Sequence, residues 1–121
     1  MRVVIGSVIA SFVLVSACGG SAPVPSSERT KALADVRAAE EIGAGKVPKA
    51  ALHLKMARDQ ITTAERLIAD EENEQAQMVL NRALADAEVA IALAHEAKLR
   101  DEAEEARQKV AQLKKEAGQA K

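Results

Sequence analysis

The only cysteine of the chain, Cys18, stands directly after two small residues that end an apolar run. The run from Val3 to Val15 follows one basic residue, Arg2. Its length suits the hydrophobic region of a secretory signal, because a membrane-spanning helix needs about 20 residues. We expect cleavage between Ala17 and Cys18, which makes a thiol the first side chain of the mature protein. No intramolecular disulfide is then possible, and a thiol there is open to acylation.

The segment Val15-Ser16-Ala17-Cys18 resembles the lipobox of bacterial lipoproteins. The resemblance implies a diacylglyceryl group on the Cys18 thiol and fatty acids such as palmitate as the anchor, two or three chains giving stable attachment. Gly19 stands where an aspartate tends to retain such proteins in the inner membrane. By resemblance we expect a periplasm-facing protein of the outer membrane, with the outer leaflet of the inner membrane as the alternative. A plain secretory signal with a chance cysteine, or an uncleaved N-terminal anchor, are the other interpretations.

Three segments follow from this pattern. Residues 1–17 are predicted to be a lipoprotein signal peptide. Residues 18–27 are small, polar and proline-bearing, which is typical of a linker without fixed structure, and they form the predicted lipidated tether. Residues 28–121 form the predicted alanine-rich helical domain, because alanine has the highest intrinsic helix propensity.

The helical domain divides at two places. Helix one is predicted over 28–42, with Ser27 as its N-cap and Gly43 as its C-terminal cap. Helix two begins at Pro48, since proline fits the first helical position. The acidic segment Asp70–Asn73 forms the next turn, and helix three follows from there to about Ala117.

Apolar residues recur in steps of three and four along helices two and three, which places them on one face of each helix. We expect helix-seam contacts at Leu54, Ala57, Ile61, Ala64, Ile68, Leu80, Ala83, Ala87 and Ala94. A further apolar stripe from Leu99 to Ala117 is offset from the alanine stripe before it.

These elements predict an all-α fold. At 1.5 Å per residue helix three is about twice as long as helix two, so half of it overhangs. We favour an elongated antiparallel helical hairpin with a broken first arm, in which helix one covers the overhang and the acidic turn projects roughly 60 to 70 Å from Cys18. A small three-helix bundle is the alternative, and it would leave the stripe from Leu99 to Leu113 exposed for self-association or for a partner.

Gly43-Ala44, Pro48, the spacing Leu54-x-x-Ala57 and the regularly placed alanines resemble an alanine-rich domain of bacterial envelope lipoproteins, the domain of unknown function family 4398. The alanines concerned are Ala64, Ala76, Ala83, Ala87, Ala90 and Ala94. The resemblance spans Gly43 to Lys98 and implies a lipid-anchored envelope protein. It supplies no activity and no functional residues. Members suggest a glycine at the interhelix turn, where this chain has Asp70 and Glu71.

Patterns typical of catalysis or of nucleic-acid binding are absent from the sequence. The net charge is -1, which is too balanced for the basic surface that nucleic acids require. The two histidines, His53 and His95, lie on different predicted helices without acids at metal-ligand spacing. Thr62-Thr63 have no base at a plausible spacing. We therefore expect no enzyme, no small-molecule substrate and no cofactor beyond the lipid on Cys18.

The sequence thus predicts a structural or interaction lipoprotein that presents an alanine-lined face to another envelope protein or to itself. One alternative is a tetratricopeptide-like module that binds peptides. Another is a Braun-type lipoprotein joined to peptidoglycan through Lys121, the C-terminal residue.

Overall fold

The computed structural model describes residues 22–119, and every regular element within them is helical. Helix α1 spans Ser26–Glu41, α2 spans Pro48–Ala69 and α3 spans Asn73–Gln119, with one 3₁₀ turn at Ala44–Lys46 between α1 and α2. The predicted all-α class is confirmed. The three predicted helices are present, with boundaries within two residues of those expected from the sequence.

The break between α1 and α2 has the cause that the sequence predicts. Gly43 follows α1 with a φ of 86°, in the left-handed region that glycine enters without a side-chain clash. Pro48 occupies the first position of α2. The predicted N-cap of helix one is wrong: α1 begins at Ser26, two residues earlier than expected, with Pro25 before it, and the Ser27 hydroxyl donates to the Glu28 carboxylate at 2.6 Å.

Helices α2 and α3 form an antiparallel hairpin, and α1 folds back against both. Near the α2–α3 turn, the Arg29 guanidinium lies 2.6 Å from the Glu65 carboxylate on α2. At the same end the side-chain amide of Asn73 donates to the carbonyl of Ala22 at 2.7 Å. Helix α1 is therefore antiparallel to α2 and parallel to α3, which is the three-helix bundle. The arrangement in which helix one continues along helix two and covers the overhang is not observed.

The core of this bundle is thin. Of the fifteen buried hydrophobic residues in the described range, eleven are alanine, so the helices approach closely but enclose little apolar volume. Leu80 is the one large side chain there with less than 2 % exposure. Partly buried residues such as Leu33, Leu67 and Leu84 close the sides of the core. Stability therefore depends strongly on a few larger residues and on the absence of bulk at the alanine positions.

Ala22 and Pro25 bring the end of the predicted tether onto the bundle. Pro25 is buried and Ala22 is half-buried beside Asn73. The hydrogen bond from Asn73 and the burial of the Pro25 ring hold this segment against the bundle, although it has few apolar side chains. The acidic turn consequently lies beside Ala22, at the tether end of the bundle, and the expectation that it projects to the far end from the tether is wrong. Cys18, from which a projection of 60 to 70 Å was expected, lies outside the described residues.

The turn between α2 and α3 places a non-glycine residue in a left-handed conformation. Glu71 has a φ of 62°. Its backbone N–H donates to the carbonyl of Ile68 at 3.1 Å, and that of Glu72 donates to Leu67 at 2.8 Å. This is the Schellman pattern of a helix C-terminus, which most often has glycine in the left-handed position. Glutamate there carries a steric cost of roughly 1–2 kcal/mol that glycine would avoid.

We therefore expect Glu71→Gly to stabilise the protein by about 1 kcal/mol, because relief of backbone strain exceeds the added chain entropy of glycine. Urea unfolding followed by circular dichroism measures this. Glu72→Gly is the matched control, since it removes the same charge at the next position, where φ is not positive. Equal effects of the two substitutions would show that charge rather than backbone conformation matters at this turn.

Candidate functional site: the outer face of helix α3

One face of α3, the inner stripe, packs into the bundle. Its members are buried and spaced by three or four residues: Ala76, Leu80, Ala83, Ala87, Ala90 and Ala94. The same register continues through half-buried Ala97 and then reaches Asp101, Glu104 and Gln108, all exposed. The inner stripe therefore turns polar beyond the level at which α1 ends and α2 begins. Residues 98–119, which we call the extension, are all exposed.

A second apolar face, the outer stripe, runs along the opposite side of the same helix. Its positions are shifted by two residues from the inner stripe, which rotates them by about 200° around the axis at 100° per residue. Two charged residues, Arg82 and Glu96, interrupt it. Its members are Met78, Ala85, Val89, Ala92, Leu99, Ala103, Ala106, Val110, Leu113 and Ala117.

The outer stripe contains every exposed large hydrophobic residue of α3. Leu99 is 64% exposed, Leu113 is 55% exposed and Val110 is 50% exposed. Met78 and Val89 continue the stripe along the back of the bundle. In the rest of the described range only Val24, Leu52 and Met56 are comparably exposed, and they form no stripe of this length. A contiguous exposed apolar stripe of this kind is typical of an interaction surface.

Charged residues flank the outer stripe within the extension in an ordered way. The positions that follow Leu99, Ala106 and Leu113 are all basic: Arg100, Arg107 and Lys114. The opposite flank has Glu102, Lys109 and Glu116. Several of these residues pair along the helix itself, as Arg100 does with Glu96 at 2.5 Å and Lys98 with Glu102 at 3.9 Å. Such exposed pairs are weak and can exchange partners at little cost.

The residues expected in helix seams lie mostly in the core. Leu54, Ala57, Ile61 and Ala64 are buried on α2, as are Leu80, Ala83, Ala87 and Ala94 on α3, whereas Ile68 is half-buried. The alanine-lined face is thus buried within the chain. Ala17 and Cys18 lie outside the described residues. The part of the outer stripe that precedes the extension, from Met78 to Ala92, was not recognised from the sequence. Its signal there is an apolar series shifted by two residues from the buried alanines.

A polar cluster joins α2 to α3 in the middle of the bundle. A ring nitrogen of His53, Nδ1, lies 2.8 Å from one Asp86 oxygen, and the Gln60 amide donates to the other at 2.9 Å. Asp86 is 15% exposed at its side chain. His95 is exposed on α3. Within residues 22–119 no group of three potential ligands converges on a metal position, and we interpret the His53–Asp86 pair as a contact that orients the hairpin.

Ion pairs on the surface orient α1. Lys31 lies 2.7 Å from Asp35 and 3.1 Å from Glu88, and these two hydrogen bonds raise the pKa of its ammonium group. The Ser27 hydroxyl and the Gln77 amide, with a backbone contribution, lower the pKa of the Glu28 carboxyl. Each exposed pair contributes little to stability, but together they favour one direction of α1 relative to α3.

Open grooves lie where the extension leaves the bundle. One of 340 Å³ is bordered by Val47, Pro48, Leu93 and Arg100, and it merges with solvent on one side. Its lining combines apolar and charged groups without a convergent set of polar atoms.

None of the helices in the described part of the chain combines the length and apolarity needed to cross a membrane.

Comparison with known proteins identifies a family without assigning an activity. No curated protein and no solved structure matches the chain significantly. A family model described as a domain of unknown function matches residues 27–106, which extends the resemblance seen in the sequence at both ends. The matched region includes all of α2, nearly all of α1 and the first turns of the extension. Since the match covers well over half of the chain, the protein belongs to the family Domain of unknown function (DUF4398).

Proposed function

We propose that this protein is a lipid-anchored structural or interaction lipoprotein of the bacterial cell envelope. A lipid on Cys18 holds it to a membrane, and the chain faces the periplasm, from the outer membrane in preference to the inner. It has no catalytic role. Its interaction surface is the outer stripe of the extension.

The observation that carries the proposal is the position of the extension. Residues 98–119 leave the bundle at the end opposite Ala22, and they bear an exposed apolar stripe that no part of residues 22–97 covers. A helical segment without a single buried residue has no evident use within the monomer. Unsupported helices of this length are only marginally stable in water, so contact with another molecule would stabilise the extension.

Chain length supports an orientation relative to the membrane. Cys18 precedes Ala22 by four residues, so a lipid on Cys18 would lie within about 14 Å of Ala22 at full extension. Ala22 in turn contacts Asn73, the first residue of α3. The 47 residues of α3 rise about 70 Å from that point, at 1.5 Å each. A protein anchored at Cys18 would therefore hold the extension at its far end, available to partners beyond the membrane surface.

The anchor is tested by Cys18→Ser. We expect this variant to move from the membrane fraction to the soluble fraction, because the thiol that receives lipid is lost. Its helix content by circular dichroism should match that of the purified mature chain. Metabolic labelling with a radioactive fatty acid gives a second readout, with incorporation expected only in the protein that retains Cys18. Membrane association of Cys18→Ser, or absence of label from the unaltered protein, would contradict the proposal.

A covalent link through Lys121 is a second candidate function, and one observation favours it. Helix α3 directs the C-terminal end of the chain away from the tether end of the bundle, so its last residues would lie far from a lipid on Cys18. Complete extraction by detergent would exclude such a link, whereas release only after muramidase digestion would support it. The tetratricopeptide-like alternative finds no comparable support, because helices of 16, 22 and 47 residues do not form pairs of equal length.

A further inference from the structure

We propose that a second copy of this chain occupies the outer stripe of the extension, packed parallel and in register as a short two-stranded coiled coil. This inference rests on the proposed function, in which both copies are anchored to the same membrane. The contact runs from Leu99 to Ala117. It names the partner that the proposed function leaves open.

The face concerned is free of the bundle over the whole length of α3. Because the outer stripe lies about 200° around the helix from the inner stripe, α1 and α2 are on the far side of each copy. Two α3 helices can therefore meet back to back without collision between the bundles. Val89 and Ala92 continue the contact surface below the extension, while exposed Glu96 limits close packing there.

The spacing of the stripe is that of a heptad repeat. Leu99, Ala106 and Leu113 recur every seven residues, and Ala103, Val110 and Ala117 form the second series. This strict repeat of alternating three and four is the pattern of helices that supercoil around one another. Leucine at two of the three positions of the first series, with valine or alanine in the second, suits a two-stranded structure.

The flanking charges distinguish parallel from antiparallel packing. In a parallel pair, each residue of the flank that contains Glu102, Lys109 and Glu116 faces the residue five positions later on the basic flank of the second copy. Among the described residues Glu102 then faces Arg107, which is an attractive pairing, and Lys109 faces Lys114, which is a repulsive one. In an antiparallel pair of full overlap, the wholly basic flank would face itself, and Glu102 would face Glu116. Charge complementarity thus favours the parallel pair.

The predicted association is weak in solution and stronger on a membrane. Half of the six seam positions are alanine, which buries little area, so three heptads alone give a modest affinity. Attachment of both copies to one surface raises their effective concentration and aligns them in the same direction. The pair is therefore expected in the membrane-bound protein and largely lost in the Cys18→Ser variant at micromolar concentration.

Single cysteines introduced into the full lipidated chain test this proposal in intact cells. Ala103→Cys, Val110→Cys and Ala117→Cys each face their own counterpart in a parallel pair, so small motions of the two helices can bring their Cβ atoms to the roughly 4 Å that a disulfide spans. We expect a disulfide-linked homodimer from all three after mild oxidation. Gln108→Cys is the matched control on the opposite face, and the chain without an added cysteine controls for Cys18. Adding Leu113→Glu should abolish the Val110→Cys product, whereas adding Gln112→Glu should not.

Each result decides between defined outcomes. Homodimers at all three positions and little at Gln108→Cys support the parallel pair. A homodimer at Val110→Cys alone indicates an antiparallel crossing and overturns the parallel register. A crosslink from the stripe to a different protein overturns the second copy as occupant but retains the proposed interaction surface. If none of the three variants gives more homodimer than Gln108→Cys, the inference is overturned and the outer stripe is removed from the proposed function. The Cys18→Ser result reports separately on the anchor.

Discussion

Replacing Leu80 by alanine is expected to lower the free energy of unfolding by about 3 kcal/mol, a large part of the stability of a small domain. Leu80 lies in the middle of the bundle with no exposed surface. Most of the buried residues of the core are alanines, whose short side chains cannot move into the vacated space. The loss therefore includes the apolar transfer free energy and the cost of the cavity that remains.

Thermal unfolding of the Cys18→Ser chain, followed by circular dichroism, measures the effect. A loss of this size lowers the midpoint by on the order of 15 °C for a domain of about 100 residues. Leu52→Ala is the matched control: the same atoms are removed, but Leu52 is 58% exposed on α2, and a change within about 0.5 kcal/mol is expected. Similar effects at both positions would contradict the packing of α3 described above.

The second large effect is expected from adding bulk at an alanine of the inner stripe. Ala87 has no exposed surface, and leucine there would force α3 away from its neighbours or into a strained rotamer. We expect Ala87→Leu to destabilise the bundle by roughly 1–3 kcal/mol, although leucine and alanine are both good helix formers. The cost arises from close helix approach, since intrinsic propensity changes little.

Ala85→Leu provides the comparison, because Ala85 is exposed on the outer stripe two residues away. We expect its unfolding midpoint in urea to stay near that of the unsubstituted chain at low protein concentration. Stabilisation that grows with protein concentration would indicate dimerisation through the outer stripe. If Ala87→Leu were tolerated as well as Ala85→Leu, the alanines of the inner stripe would not be setting the distance between the helices.

Helix boundaries were predictable because local chemistry dictates them. Gly43 takes the left-handed conformation after α1, and Pro48 opens α2. The acidic segment Asp70–Asn73 contains the turn, as its change of apolar phase indicates. What local pattern did not indicate is that Glu71, in place of glycine, adopts a positive φ there. The two hydrogen bonds from Glu71 and Glu72 to the end of α2 compensate for the strain.

The direction of α1 was harder to predict, because its apolar residues fit a seam in either arrangement. The deciding feature lies on α3. On the face that α2 covers, the extension presents Asp101, Glu104 and Gln108. A helix one that continued along the axis of α2 would have placed Val36 and its neighbouring alanines against those polar groups. Folding back instead buries Val36 to 6% exposure within the bundle. The helix lengths alone suggested that helix one extends along the axis of α2. The polar residues on the face of the extension that helix one would then cover oppose this arrangement.

The candidate site was predictable in part for a related reason. The stripe from Leu99 to Ala117 is visible in the sequence because nothing else on that stretch is apolar at regular spacing. Between Met78 and Ala92 the outer stripe alternates with the buried alanines, and the two patterns merge into one nearly continuous apolar sequence. Only the packing of α1 and α2 against one of them separates the face that forms the core from the face that remains exposed.

The acidic turn has a further physical consequence at the tether end. Asp70, Glu71, Glu72 and Glu74 are exposed there. If Cys18 is lipidated, these carboxylates lie close to the headgroups, where an anionic surface would repel them over a Debye length of about 8 Å at physiological salt. The repulsion would act on the anchored end whatever the tilt of the bundle, and it would hold the acidic turn away from the headgroups. The distance between this turn and the bilayer would then depend on ionic strength, with the largest separation when salt is low.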